Sequence, residues 1–333
     1  MNPLGPLRFT PILKRAVWGG RRLGTLLAKP LGPDSDYAES WELVDHGADQ
    51  SVVRAGPHRG QTLGALVAAH SRQLLGDALS RSASEPPSFP LLIKYLDCHK
   101  PLSIQVHPDD ERAARLTPPD RGKTEAWVIL HAEPDSVLYA GLKRGFDRAA
   151  FEREVARGTT ALCLEKITPQ IGDCYLIPAG TVHALGAGLV VAEVQQSSDT
   201  TYRIFDWNRL GNDGQPRALH LSSGLAAIRY GQEPVVASTP LTLPTSADGM
   251  LGERLIDGDK FRIDRWKTTV PLRMGGDGRL HVLMVLSGSM TMQADPAECP
   301  VGTFETVLLP ASCPPLEVTP LEPATLLDIT PPE

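Results

Sequence analysis

Three features are missing from this 333-residue chain, and each absence narrows what it can be. There is no excess of positive charge: 33 Lys and Arg stand against 39 Asp and Glu, for a net charge of −6. Proteins that hold nucleic acid through its phosphates need a basic surface, so nucleic acid is not the expected partner. No apolar run approaches the roughly 18 residues that a membrane helix needs, and the opening MNPLGPLRFTPILKR has no continuous apolar stretch of the kind a secretion signal carries. The expectation is a cytoplasmic protein that does not engage the membrane. Cysteine is sparse: Cys98, Cys163, Cys174, Cys299 and Cys313 are odd in number, scattered and never spaced C-x-x-C. That pattern suits neither a disulfide framework nor a thiolate zinc site, and it reads as five reduced packing residues.

What the chain does have is punctuation. Its 30 Gly and 30 Pro break the sequence into short runs, which biases the reading toward β-structure. Apolar residues three and four apart predict a helix over Thr62 to Leu79. A polar stretch from Ser80 to Ser88 separates it from a buried strand, Phe89 to Leu96. Strand-like runs then follow at Leu102 to His107, Ala126 to His131, Ser136 to Leu142, Leu162 to Ile167, Cys174 to Ile177, Leu189 to Val194 and Thr201 to Phe205. Short helices are predicted at Asp109 to Leu116, Asp147 to Arg157 and Leu221 to Arg229. Strands at this spacing suggest a sandwich or barrel. Domain boundaries are drawn at 1–230, with a small helical insertion near 60–80, then a linker over 231–248 and a second β-rich domain over 249–333. In that last part, His281 to Gly288 with Val307 to Ala311 echoes Ala126 to His131 with Tyr175 to Ala179. Where the first copy continues Gly180-Thr-Val-His183, the second continues Ser312-Cys-Pro-Pro315, so the second copy reads as scaffold.

Two of the nine histidines stand apart. On the strand ending at His107, Gln105 and His107 point to one face while Ile104 and Val106 point to the other. Burying an amide and an imidazole without partners would cost several kcal/mol, and metal coordination is one way to satisfy both. His183 closes Gly172-x5-Pro178-x-Gly180-x2-His183, which resembles the second motif of the cupin barrels. In that comparison Gln105, His107, Glu125 and His183 form a ligand set suited to zinc. Lys123 lies two residues before Glu125. Arg203 sits on a short strand, turned either outward or toward an anion.

PLSIQVHPDD (101–110), GKTEAW (122–127), IPAGTVHALGAG (177–188) and VQQSSDTTYRIFDW (194–207) together resemble the type I phosphomannose isomerases, in their short bacterial form. The resemblance implies a mainly β fold, a double cupin of jelly-roll β-barrels with a few short helices. It implies one catalytic zinc per chain and interconversion of mannose 6-phosphate and fructose 6-phosphate through a cis-enediol(ate). It carries Gln105, His107, Glu125 and His183 over as zinc ligands, and Lys123, Asp199 and Arg203 as active-site residues. Ser103 matches a position associated with the substrate phosphate. The partner implied is a small phosphosugar, with the chain a monomer or homodimer. Gly122 departs from the longer family members, which have histidine there. A cupin dioxygenase using iron(II), or a non-catalytic sugar-binding cupin, would share much of this frame.

Overall fold

The computed structural model describes residues 4–80, 87–211, 213–245 and 247–332, so most of the predicted polar stretch Ser80 to Ser88 lies outside the described residues. The fold is mainly β, as expected. Its sheets are open, however, and none closes on itself, so the jelly rolls are sandwiches of facing sheets rather than closed barrels.

The chain divides into two compact units made of alternating segments. One comprises residues 1–12, 42–90 and 239–333, the other 13–41 and 91–238. A contiguous cut of the sequence does not describe this arrangement. The stretch 231–248 is also more than a linker: Leu241–Leu243 is an edge strand paired with Met250–Asp257.

In the second unit a six-stranded sheet has the order Cys174–Ile177, Glu125–Ala132, Leu189–Gln196, Leu91–Cys98, Tyr37–Leu43, Ile12–Gly20. It faces a five-stranded sheet with the order Leu164–Ile167, Leu138–Leu142, His183–Leu185, Ile104–Val106, Tyr202–Phe205. Between them lies a core that includes Trp127, Ile129, Tyr175, Leu96 and Val191 from one sheet and Leu138, Ala140 and Leu185 from the other. Fully burying side chains of this size stabilises by about 1.5–3 kcal/mol each. Ile104, Val106 and Ile204 point out of the sandwich, where Phe151, Ala227 and Ile228 pack on them. The alternation read from the sequence is therefore correct: with Ile104 and Val106 committed to that outer layer, Gln105 is turned inward.

The first unit repeats the plan. An eight-stranded sheet and the sheet Leu272–Met274, Leu316–Pro320, Met290–Met292 enclose a core that includes Leu283, Val285, Leu309 and Leu326.

Helix starts follow the sequence closely and helix ends less so. Asp109 and Asp147 cap Asp110–Ala113 and Arg148–Ala156 by accepting from Arg112 N and Ala150 N. Thr62 caps Leu63–Leu75, but Gly76, at φ +85°, stops that helix before Leu79, and a separate turn follows at Asp77–Ser80. Four cysteines are buried packing residues, whereas Cys299 is exposed.

Candidate metal centre

Three motifs converge inside the second unit. The strand Ile104–Val106 delivers Gln105 and, just past its end, His107; Glu125 opens Glu125–Ala132; His183 opens His183–Leu185. Antiparallel register sets His183 opposite Gln105 and Ile177 opposite Glu125, so the Pro178 to Gly180 turn returns the chain beside the carboxylate. Gly180 makes that return possible. Its φ is +88°, and a Cβ there would lie 2.7 Å from Arg229 and 3.1 Å from the Ala227 carbonyl.

His107, Glu125 and His183 are each 1 % exposed. Each offers one ligand atom, and those atoms lie within 4.8 Å of one another. His107 Nδ1–H donates to the Thr200 carbonyl and His183 Nδ1–H to the Thr181 carbonyl, both at 2.9 Å. A carbonyl only accepts, so both rings carry their proton on Nδ1 and present a bare Nε2 to the cluster. Glu125 Oε1 lies 3.2 Å from His183 Nε2 yet makes no well-formed hydrogen bond, and it is a buried orphan. Two lone pairs and an unsatisfied carboxylate oxygen aimed at one point form an acceptor set with too few donors, as expected for groups that bind a cation. Lys123 supplies positive charge here: its Nζ is 2.8 Å from Glu125 Oε2 and 3.1 Å from His107 Nε2. Burial and the Lys123 charge hold His107 well below its ordinary pKa. Burial opposes the charge on Glu125, but the Lys123 charge beside it holds its pKa well below the ordinary carboxylate value. Nitrogen and oxygen donors in this ratio suit a divalent metal of the borderline class. Among the described residues no other such group of His, Cys, Asp and Glu converges.

Gln105 Nε2 points at His183 Nε2, 3.3 Å away, while its Oε1 lies 3.4 Å from Ser103 Oγ. A half-turn of the amide would exchange the two atoms and bring the oxygen into the cluster. Ser103 is buried beside it. Arg203 is the register partner of Gln105 on the neighbouring strand. Its Nη1 donates to the Ala218 carbonyl at 2.9 Å, and its Nε is a buried donor without a partner. Asp199 stands apart: it is exposed, and its charge acts on Lys94.

Two groups escaped the sequence reading. Lys94 sits under the site in the apolar run LLIKYLDC, its Nζ 3.2 Å from Glu39 and 3.5 Å from Glu193, over the Trp41 ring. Burial and the nearby Glu125 charge raise the pKa of Glu193, which also accepts from Trp127 Nε1. A lysine inside a continuous apolar strand was the available signal, since such a charge needs a buried partner. Arg209 and Arg217 both clasp Asp206 near Arg203, leaving positive charge in excess there.

Residues 7–124 match the family model of the phosphomannose isomerase type I catalytic domain. The mannose-6-phosphate isomerase ManA of Bacillus subtilis is 31% identical over 305 residues, 92% of this chain and 93% of the relative. The mannose-6-phosphate isomerase of Streptococcus mutans is 32% identical over 283 residues, 85% of each. Among solved structures, the mannose 6-phosphate isomerase of Bacillus subtilis superposes with a TM-score of 0.88 at 29% identity, covering 98% of this chain and 99% of that one. No helix is long and apolar enough to cross a membrane. With relatives matched at this identity over nearly their whole length, and with the expected motifs assembled in one sandwich, the chain belongs to the type I phosphomannose isomerases.

Proposed function

We propose that this chain interconverts mannose 6-phosphate and fructose 6-phosphate through a cis-enediol(ate), with one zinc held by Gln105, His107, Glu125 and His183. The observation that carries the reading is the buried set of two Nε2 lone pairs and one orphaned carboxylate oxygen. It is supported by the relatives, which are mannose-6-phosphate isomerases by name. When bound, zinc supplies Lewis-acid stabilisation of negative charge on the sugar oxygens.

The protein's own groups do the rest. Aldose–ketose isomerisation takes a proton from the carbon beside a carbonyl and returns it to the neighbouring carbon. Lys123, whose Nζ already stands among the ligands, is assigned that transfer. Asp199, the other candidate, is exposed, and its part is electrostatic. Arg203, with an unpartnered Nε and excess positive charge from Arg209 and Arg217, holds the phosphate or the developing oxyanion. Ser103 is assigned to the phosphate as well. The net charge of −6 does not oppose an anionic substrate, because local guanidinium groups set the potential at the site.

A coupled assay on mannose 6-phosphate tests the reading. Turnover is expected in the zinc-loaded protein, to be lost on chelation and regained with zinc; no turnover in the loaded protein refutes it. Metal analysis with oxygen uptake distinguishes an iron(II) oxygenase. Replacing Lys123 with Ala should lower kcat by at least about a hundredfold, the lower bound for a positioned proton carrier, while bound zinc is retained.

A further inference from the structure

We infer that Asp120 is a positioning residue for His107: it clamps the backbone that fixes which nitrogen of that imidazole is free. Asp120 lies in the loop before Gly122-Lys123-Thr124-Glu125, outside every motif singled out in the sequence. Its Oδ2 accepts from Ser198 Oγ at 2.8 Å and from Thr200 Oγ1 at 2.5 Å. Its Oδ1 accepts from Arg121 N at 2.8 Å, and its own amide donates to the Ala113 carbonyl at 3.0 Å, so the carboxylate is held from behind. The grip on the other side is equally well tied: Thr200 N donates to Ser198 Oγ, and Gln195 Nε2 donates to the Ser198 carbonyl at 2.7 Å.

What is gripped is the residue whose carbonyl accepts from His107 Nδ1–H. Lys123 Nζ, 3.1 Å from Nε2, favours the Nδ1–H tautomer from the other side of the ring, but if the Thr200 carbonyl drifts, Nδ1–H loses its only acceptor among these contacts. The His107 Nε2 would then spend part of its time protonated and unable to bind a cation. Thr200 and Ser198 follow a strand and have no ladder partners of their own, so the two hydroxyl bonds to Asp120 replace the support that a sheet would give. The chain of contacts runs from Asp120 through Thr200 to His107, and each link is 2.9 Å or shorter.

The inference rests on the metal reading for its affinity arm, but not for its tautomer arm. In metal-free protein, the 15N imidazole shifts of His107 should report the Nδ1–H form in the native chain and a mixture of tautomers in Asp120→Ala. Zinc affinity, measured by competition with a chromogenic chelator, should fall about 10–100-fold in Asp120→Ala, the range for loss of an outer-shell partner. Asp120→Asn, which keeps one acceptor oxygen, should recover most of that loss. Thr200→Val should weaken zinc on its own and add little in the Asp120→Ala background, because the two act through one link. An unchanged His107 tautomer in Asp120→Ala, or in Thr200→Val should the first variant not fold, overturns the inference. Failure of the native chain to bind zinc while the tautomer still responds would refute the metal reading and leave the clamp standing.

Discussion

At the scale of single residues, two histidine environments show what burial and partners do to one side chain. His107 and His183 each donate Nδ1–H to a backbone carbonyl, so each turns Nε2 toward the cluster. His281, at the start of the echoing strand in the other unit, has both nitrogens on carboxylates, Nδ1 2.8 Å from Asp328 and Nε2 3.1 Å from Asp277. Burial opposes its charge, but the two aspartates outweigh burial and push its pKa up to about 10. A histidine pKa raised above its unfolded value of about 6.5 contributes stability that is complete below that pH and is lost as pH rises through about 10. The unit containing His281 should therefore lose stability between about pH 7 and about pH 10, and His281→Gln should flatten that dependence. Urea denaturation followed through amide exchange in His281–Ser287 measures it, and identical pH slopes in the two proteins would contradict the assignment. At the other site, if Arg203 holds the substrate as proposed, Arg203→Ala should lower turnover by at least about a hundredfold and leave zinc affinity within a few-fold, because a guanidinium is not a metal ligand. Steady-state rates beside chelator competition separate the two effects.

At the scale of elements, close backbone approach matters as much as pattern. A Cβ on Gly186 would sit 2.2 Å from the Val137 carbonyl oxygen, three residues beyond His183 and on the chain that pairs with Leu138–Leu142. Backbone cannot step aside as a side-chain tip can. Gly186→Ala should cost about 1–3 kcal/mol and also weaken zinc by displacing His183. Asp147→Ala is the natural comparison: it removes a helix cap, should cost about 1 kcal/mol, and should leave zinc binding unchanged. Denaturation curves and chelator competition on both variants check the contrast; equal loss of zinc affinity in the two would remove the local explanation. The helix starts were legible because Asp or Thr before an apolar-periodic run favours a helix N-terminus. The stop at Gly76 was harder to read, because apolar spacing continues past it while φ +85° does not. The inward turn of Gln105 followed from alternation alone. Lys94 did not stand out, because nothing local says that two strands will bring its ammonium and the Glu193 carboxylate to 3.5 Å.

At the scale of the molecule, the two units have separate cores, and the candidate metal ligands all belong to the unit of residues 13–41 and 91–238. A ligand that binds only the folded state stabilises by about 2.7 kcal/mol at a hundred times its dissociation constant. Added zinc should therefore slow amide exchange in Glu125–Ala132 and His183–Leu185, and chelation should reverse this. Unchanged exchange in those strands at saturating zinc would count against the site. The interleaving of the units arises from pairings far apart in sequence, such as Leu7 with Leu308, which no window of the chain announces.

The sequence by itself determined the β-class, the echo between the two sandwiches, the helix starts, and the motifs that meet at His107, Glu125 and His183. These are matters of period, turn chemistry and residue type, which act over a few neighbours. Only the tertiary structure decided that the sheets stay open, that the domains are woven from alternating segments, and that His281 is paired with two aspartates. It alone also showed that Asp199 stays exposed and that Asp120 reaches Thr200. Those depend on which distant strands pair and on what burial does to a charge once its partners are in place.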